Sequence, residues 1–219
     1  MTRRCRTLWS AFVVVSALSA FAVPAASADE FTAEGTPLTV TGTGGAFSKF
    51  ETTAGNVTCG KASYTGTLTS SSTSLTLTPS YSECTAFGFP ATVDMNGCTY
   101  ILAVNSGSST QGAMRIECPF SSEITVTAVS AGVTKCTLHI PSQYLQSFPS
   151  NSVQYWNTGT GTTRQINAEI DSFGGMAYSH TKGTGVGACT SGSSSSGGFD
   201  QTVSLTGEAS SLHFGIFLS

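Results

Sequence analysis

Apolar and polar residues alternate along most of this chain after residue 28, which is the pattern of half-buried β-strands. The clearest run is residues 164–171, where Ile166, Ala168 and Ile170 alternate with polar side chains. No later stretch of about 12 residues has apolar positions at helical spacing. The chain is also rich in Thr and Ser and punctuated by 24 glycines, which favours strands and turns. We therefore predict an all-β protein with an antiparallel β-sandwich architecture.

The number of domains is left open by the strand pattern. Residues 38–59 and 124–136 share a weak internal echo, in which an alternating strand precedes a second strand that ends in cysteine. If the echo records a duplication, two stacked β modules would cover residues 29–120 and 121–219. Repeated strand chemistry produces the same echo by chance, so one continuous β domain over residues 29–219 is the alternative.

The dipeptide Asn96-Gly97 is the strongest turn signal in the chain, because both residues tolerate positive φ angles. It predicts a hairpin between Ala91–Met95 and Cys98–Val104. A third strand would follow, with Tyr100 opposite Ile116 and Leu102 opposite Met114. This register places the apolar side chains on one face, with Ile101 as the exception on the other face.

A second hairpin is predicted around Ser130–Gly132, which joins Glu123–Val129 to Val133–Ile140. Placing Val129 opposite Val133 turns Cys136 inward and puts Glu123 opposite His139 on the outer face. Since the side-chain period of a strand is two, a slip by one residue would turn every side chain over.

The first 28 residues have the layout of a cleavable signal peptide. Arg3, Arg4 and Arg6 precede an apolar run over residues 11–23, and Ala26-Ser27-Ala28 supplies small residues for cleavage. The apolar run is shorter than the roughly 20 residues that cross a bilayer as a helix, and no later segment is apolar enough. We predict a secreted, extracellular protein with no membrane span after cleavage.

Cleavage would remove Cys5 and leave an even set of six cysteines, which in an exported chain indicates three disulfide bonds. Strand register supports Cys98–Cys118. Cys59 and Cys84 bracket two alternating segments that look like a hairpin, which suggests Cys59–Cys84 and leaves Cys136–Cys189. Zinc ligation is disfavoured because the chain has no C-x-x-C motif.

The charge pattern argues against a nucleic-acid partner. The formal charge is −3, and loss of the three signal-peptide arginines takes it to about −6. The remaining cations are scattered, whereas nucleic-acid binding depends on clustered Lys and Arg. We expect no nucleic-acid partner. No phosphate-loop or dinucleotide motif is present, and we expect no cofactor and no metal.

The candidate ligand site centres on Trp156, because Trp9 lies in the predicted signal peptide. Tyr144, Gln154 and Tyr155 lie near it in the sequence, and aromatic rings among amides suit the apolar faces and hydroxyls of a sugar. Alternation places Gln154 and Trp156 on one face of a strand and Tyr155 on the other. The alternative is that these aromatics pack beneath a long loop.

Glu169 and Asp171 are candidate paired carboxylates for glycoside chemistry, since residues i and i+2 of a strand lie roughly 7 Å apart. The ordinary interpretation is the solvated face of a strand. Three histidines occur, at positions 139, 180 and 213, but no G-x-S-x-G motif accompanies them. We therefore name no catalytic residue.

Two stretches, Tyr81–Cys98 and Tyr178–Cys189, resemble motifs of small secreted actinobacterial proteins of unknown function. The resemblance implies export and extends over most of the mature chain, but it carries no activity, ligand or catalytic residue. The leading hypothesis is a non-enzymatic extracellular protein that binds a cell-wall glycan or a surface protein. The alternatives are a secreted glycoside hydrolase and a protein-binding or inhibitory module.

Overall fold

A computed structural model describes residues 30–33, 37–145, 152–184, 189–209, 212–214 and 216–218. The predicted signal peptide, residues 1–28, lies outside them. The described residues form strands and one short 3-10 turn at Gly161–Thr163, with no α-helix. The strands are β1 (Phe31–Ala33), β2 (Leu38–Thr52), β3 (Gly55–Leu68), β4 (Ser74–Ala86), β5 (Phe89–Asp94), β6 (Thr99–Asn105), β7 (Ser108–Glu117), β8 (Ile124–Ser130), β9 (Val133–Ile140), β10 (Gln143–Leu145), β11 (Val153–Thr158), β12 (Gln165–Lys182), β13 (Gly192–Ala209), β14 (Leu212–Phe214) and β15 (Ile216–Leu218).

Five long strands form the central part of the main sheet, in the order β4-β3-β2-β13-β12. At one end, β6, β7 and β11 connect β4 back to β12 through hydrogen-bonded pairs. At the other end, β5, β8 and β9 make the same connection. The main sheet therefore closes on itself twice, and both closed circuits share the five long strands.

All of these pairings are antiparallel, so the prediction of an antiparallel all-β fold with disulfide bonds is confirmed. The pairs β5–β8, β7–β10 and β2–β13 all cross residue 120. The buried apolar side chains on both sides of that residue also belong to one cluster. The two predicted modules thus share one sheet and one core.

Tyrosines bring polar groups into this core. The ring of Tyr100, on β6, lies 6.5 Å from the ring of Tyr64 and 5.9 Å from that of Phe199 on the opposite long strands. Tyr81 donates a hydrogen bond of 3.0 Å to the Tyr100 hydroxyl, and its own hydroxyl lies 3.5 Å from Gln201 Oε1. Burial raises the pKa of all three tyrosines well above its usual value.

The predicted hairpin at Asn96-Gly97 is wrong, although the turn itself forms. Asn96 and Gly97 have φ angles of 48° and 79°, and the Cys98 amide donates to the Met95 carbonyl at 2.7 Å. The flanking strands then separate: β5 pairs with β4 and β8, while β6 pairs with β4 and β7. Because β4 is long enough to pair with both strands, the turn carries the chain from one closed circuit to the other.

The hairpin of β8 and β9 forms, but its register differs from the prediction by two residues. Ala131 and Gly132 make a two-residue turn, and Ser130 lies opposite Val133. An irregularity between Ala128 and Val129 then places Ala128 opposite Cys136. An even shift preserves the faces, so Cys136 is buried as predicted.

The three predicted disulfide pairs are present. Cys59–Cys84 and Cys98–Cys118 link neighbouring segments, with sequence separations of 25 and 20 residues. Cys136–Cys189 has a separation of 53 residues and connects β9 to the segment before β13. The predicted pairs Tyr100/Ile116 and Leu102/Met114 are also confirmed. Three disulfides are typical of proteins that fold in an oxidising, extracytoplasmic environment.

Candidate functional site

Two short strands, β10 and β11, lie one after the other along β7. Tyr144 pairs with Arg115, and Gln154 pairs with Gln111. These pairs are four residues apart on β7, a distance of about 13 Å along an extended strand. Trp156 lies two residues further along, so about 20 Å separates it from Tyr144.

Three of the four predicted ligand residues face solvent on these strands. Tyr144 is 59% exposed and Trp156 is 41% exposed, and Gln154 is also exposed. They will be called the aromatic face. A contiguous exposed apolar patch marks an interaction site, whereas single exposed apolar side chains are common on protein surfaces.

Tyr155 lies on the other side of β11 and is buried in the core. Its hydroxyl donates a hydrogen bond of 3.2 Å to the Ala103 carbonyl, and its ring meets Phe31 edge-on at 5.7 Å. The side chain is therefore not available to a ligand. It instead anchors the strand that carries Gln154 and Trp156.

A groove opens on the outer surface of β6 and β7, beside Tyr144. Its volume is about 210 Å³. Ile101, Ala103 and Ala113 form an apolar floor, and the groove is also lined by Ser74, Arg115 and Tyr144. Ala103 and Ala113 are direct cross-strand neighbours, as are Ile101 and Arg115. The floor is thus built from apolar side chains of two paired strands, two of which are alanines.

Arg115 fixes one wall of this groove. Its Nη1 donates a hydrogen bond of 2.9 Å to the Tyr144 hydroxyl, and its Nη2 lies 2.9 Å from Glu117 Oε2. The guanidinium carbon also lies 5.4 Å from the centre of the Tyr144 ring. The hydrogen bond to Tyr144 and the charge of Glu117 together raise the pKa of Arg115 above its usual value.

Glu169 and Asp171 lie beside the aromatic face on β12. Glu169 is exposed and pairs with Gln154, while Asp171 pairs with Asp200 across β12 and β13. Partial burial, and then the charges of Asp200 and Glu169, raise the pKa of the Asp171 carboxyl. Among the described residues, no three His, Cys, Asp or Glu side chains are grouped so that they could hold a metal ion.

The described histidines have other surroundings than Glu169 and Asp171. His139 Nδ1 lies 2.6 Å from Glu123 Oε1, although Thr125, and not Glu123 as predicted, lies directly opposite His139. His180 is buried, with only 8% of its surface exposed. The side chain of His213 lies outside the described part of the chain.

Comparison with known proteins adds no relative: no protein-family model, curated protein or solved structure matches this chain. Within the described ranges, no helix has the length and apolar character to cross a membrane.

The groove is the feature that reasoning from the sequence missed. The only sign of the groove in the sequence was Ile101, an apolar residue on the outer face of β6. Nothing in the sequence indicated that Tyr144, more than 25 positions after Arg115, would lie directly across from it.

Proposed function

We propose that this protein is a secreted, non-enzymatic protein that binds a glycan chain along the aromatic face. The observation that carries the proposal is the pair of exposed aromatic rings, Tyr144 and Trp156, on consecutive strands that share the partner β7. An aromatic ring covers the apolar face of a sugar, and an amide such as that of Gln154 bonds its hydroxyls. The spacing of about 20 Å suits an extended chain of several sugars better than a single one.

The anchoring of the strands supports this interpretation. Tyr155 holds β11 through its contacts with Ala103 and Phe31, and Arg115 holds the ring of Tyr144. A site whose groups are already held in place loses less conformational entropy when a ligand binds. A weakly acidic protein with scattered cations also has no electrostatic attraction for phosphate-rich polymers.

Export is supported by two independent features. The first 28 residues have the layout of a signal peptide. The three disulfides are of a kind that persists outside a reducing cytosol. A secreted protein meets cell-wall polysaccharides directly, which is why a glycan is the proposed ligand.

The test uses the intrinsic fluorescence of the mature chain, in which Trp156 would be the only tryptophan. Soluble oligosaccharides of glucose and of N-acetylglucosamine are titrated, and binding is checked by calorimetry. We expect a saturable change in emission, and we expect Trp156→Ala to lose at least tenfold in affinity by calorimetry. Phe120→Ala is the matched control, because Phe120 is fully exposed on the turn after β7 and does not belong to β10 or β11. Absence of binding to every oligosaccharide would refute the proposal.

A further inference from the structure

We infer that the groove beside Tyr144 is a subsite for the acetamido group of an N-acetylated amino sugar. The inference rests on the proposed glycan binding and names the class of sugar that the protein would select. It is carried by three properties of the groove: its apolar floor, its neutralised wall and its size.

The floor is apolar where a solvent-facing strand surface is ordinarily polar. Ile101, Ala103 and Ala113 all point outward and are only partly covered. Neither alanine side chain offers a hydrogen bond, so a sugar hydroxyl placed against them would lose its water without gaining a partner. Leaving a polar group unpaired in this way costs about 1–3 kcal/mol. A methyl group in the same place gains from burial instead.

The charge of the wall argues against an acidic sugar. The Arg115 guanidinium is already paired with Glu117, so the positive charge facing the groove is compensated locally. A carboxylate ligand would have to compete with Glu117 for the same donors. A neutral amide only needs hydrogen bonds, and Ser74 and Tyr144, which both carry hydroxyls, are among the residues that line the groove.

The size of the groove completes the argument. About 210 Å³ is smaller than the pockets of roughly 300 Å³ or more that enclose a drug-sized ligand. It therefore accepts a substituent rather than a whole sugar. The ring of Tyr144 forms the side of the groove and is exposed enough to stack against the sugar that carries the substituent. An acetamido group on a sugar that stacks on Tyr144 would place its methyl group over Ala103 and Ala113.

The experiment compares tetrasaccharides of N-acetylglucosamine, glucosamine and glucose by calorimetry on the disulfide-bonded protein. We expect the acetylated chain to bind at least tenfold more tightly than the glucose chain, in line with the discrimination of about 10–200-fold that one apolar group provides. Ala113→Val narrows the groove with a residue that strands favour. It should lower the affinity for the acetylated chain to that for the glucose chain and leave the glucose chain unaffected. Thr99→Val, which also places a valine on the outward face but on β6 outside the groove, should have no effect.

Each outcome decides between the two proposals. Equal affinity for the acetylated and glucose chains would overturn the acetamido subsite while leaving glycan binding intact. Binding of neither chain would overturn both. If Ala113→Val does not fold, Ala103→Ser adds a single hydroxyl to the floor and should reduce the preference for the acetylated chain. An unchanged preference in the folded variants would also refute the subsite.

Discussion

The guanidinium of Arg115 lies over the ring of Tyr144 and, at the same time, donates a hydrogen bond to its hydroxyl. The two residues sit opposite each other on β7 and β10. Since β10 is only three residues long, this contact does much to fix the angle of the ring. A planar guanidinium can stack and donate together, whereas an ammonium group cannot do both in this geometry.

Arg115→Lys should therefore weaken glycan binding although it preserves the charge. We expect the affinity to fall several-fold, because the Tyr144 ring is no longer held against the groove. The thermal midpoint should stay within a few degrees of wild type, since an exposed ion pair contributes little to folding. Calorimetry with the N-acetylglucosamine tetrasaccharide and a thermal melt check the two parts. An unchanged affinity would show that Arg115 does not position Tyr144 for binding.

Gly112→Ala should destabilise the protein strongly. A Cβ at this position would lie 2.0 Å from the Ala103 carbonyl oxygen and 2.4 Å from the Tyr155 ring. These atoms belong to the contact that anchors β11. Overpacking of this kind costs about 2 kcal/mol, which urea unfolding would measure.

Gly45→Ala is the matched control, because its new Cβ would meet nothing closer than 3.5 Å. It should change the free energy of unfolding by less than about 0.5 kcal/mol. Equal effects of the two substitutions would contradict the packing argument at Gly112.

Asp171→Asn should stabilise the protein at neutral pH. The pKa of Asp171 is raised in the folded state by partial burial and by Asp200, so its ionised form is disfavoured there. The free energy of unfolding therefore falls as the pH rises from the unfolded pKa of about 3.9 through the higher folded pKa. At every pH above the folded pKa, the ionised Asp171 keeps the folded state destabilised by the full amount. Asparagine removes that cost at pH 7 and should give no gain at pH 3.

Urea unfolding at both pH values measures the difference. In an Asp200→Asn background the gain at pH 7 should shrink, because one source of repulsion is already gone. If Asp171→Asn raised the free energy of unfolding more at pH 3 than at pH 7, the ionised carboxyl could not be the source of the destabilisation.

Local pairing information in the sequence predicts much of this fold. Strand register predicts Cys98–Cys118 and the hairpin between Cys59 and Cys84 predicts their pairing, so that Cys136–Cys189 is the pair that remains. The register of β6 and β7 follows in the same way. Alternation also predicts that Tyr155 is buried while Gln154 and Trp156 face outward.

The remaining features depend on contacts between distant segments, which a local pattern does not contain. Asn96-Gly97 specifies a turn but not the partners of the strands on either side. Those partners depend on the length of β4, which reaches both β5 and β6. The groove likewise requires β10 to return beside β7, far from it in sequence. Both features depend on how distant segments pair, which local propensity does not determine.

The five long strands that belong to both closed circuits have a mechanical consequence. A strand such as β4 contacts β6 near its start and β5 near its end, so neither end of the molecule can open without loosening strands that the other end also uses. The two ends should therefore melt as a single cooperative unit, without a half-unfolded intermediate. Such cooperativity leaves a protease no separately unfolding half to attack.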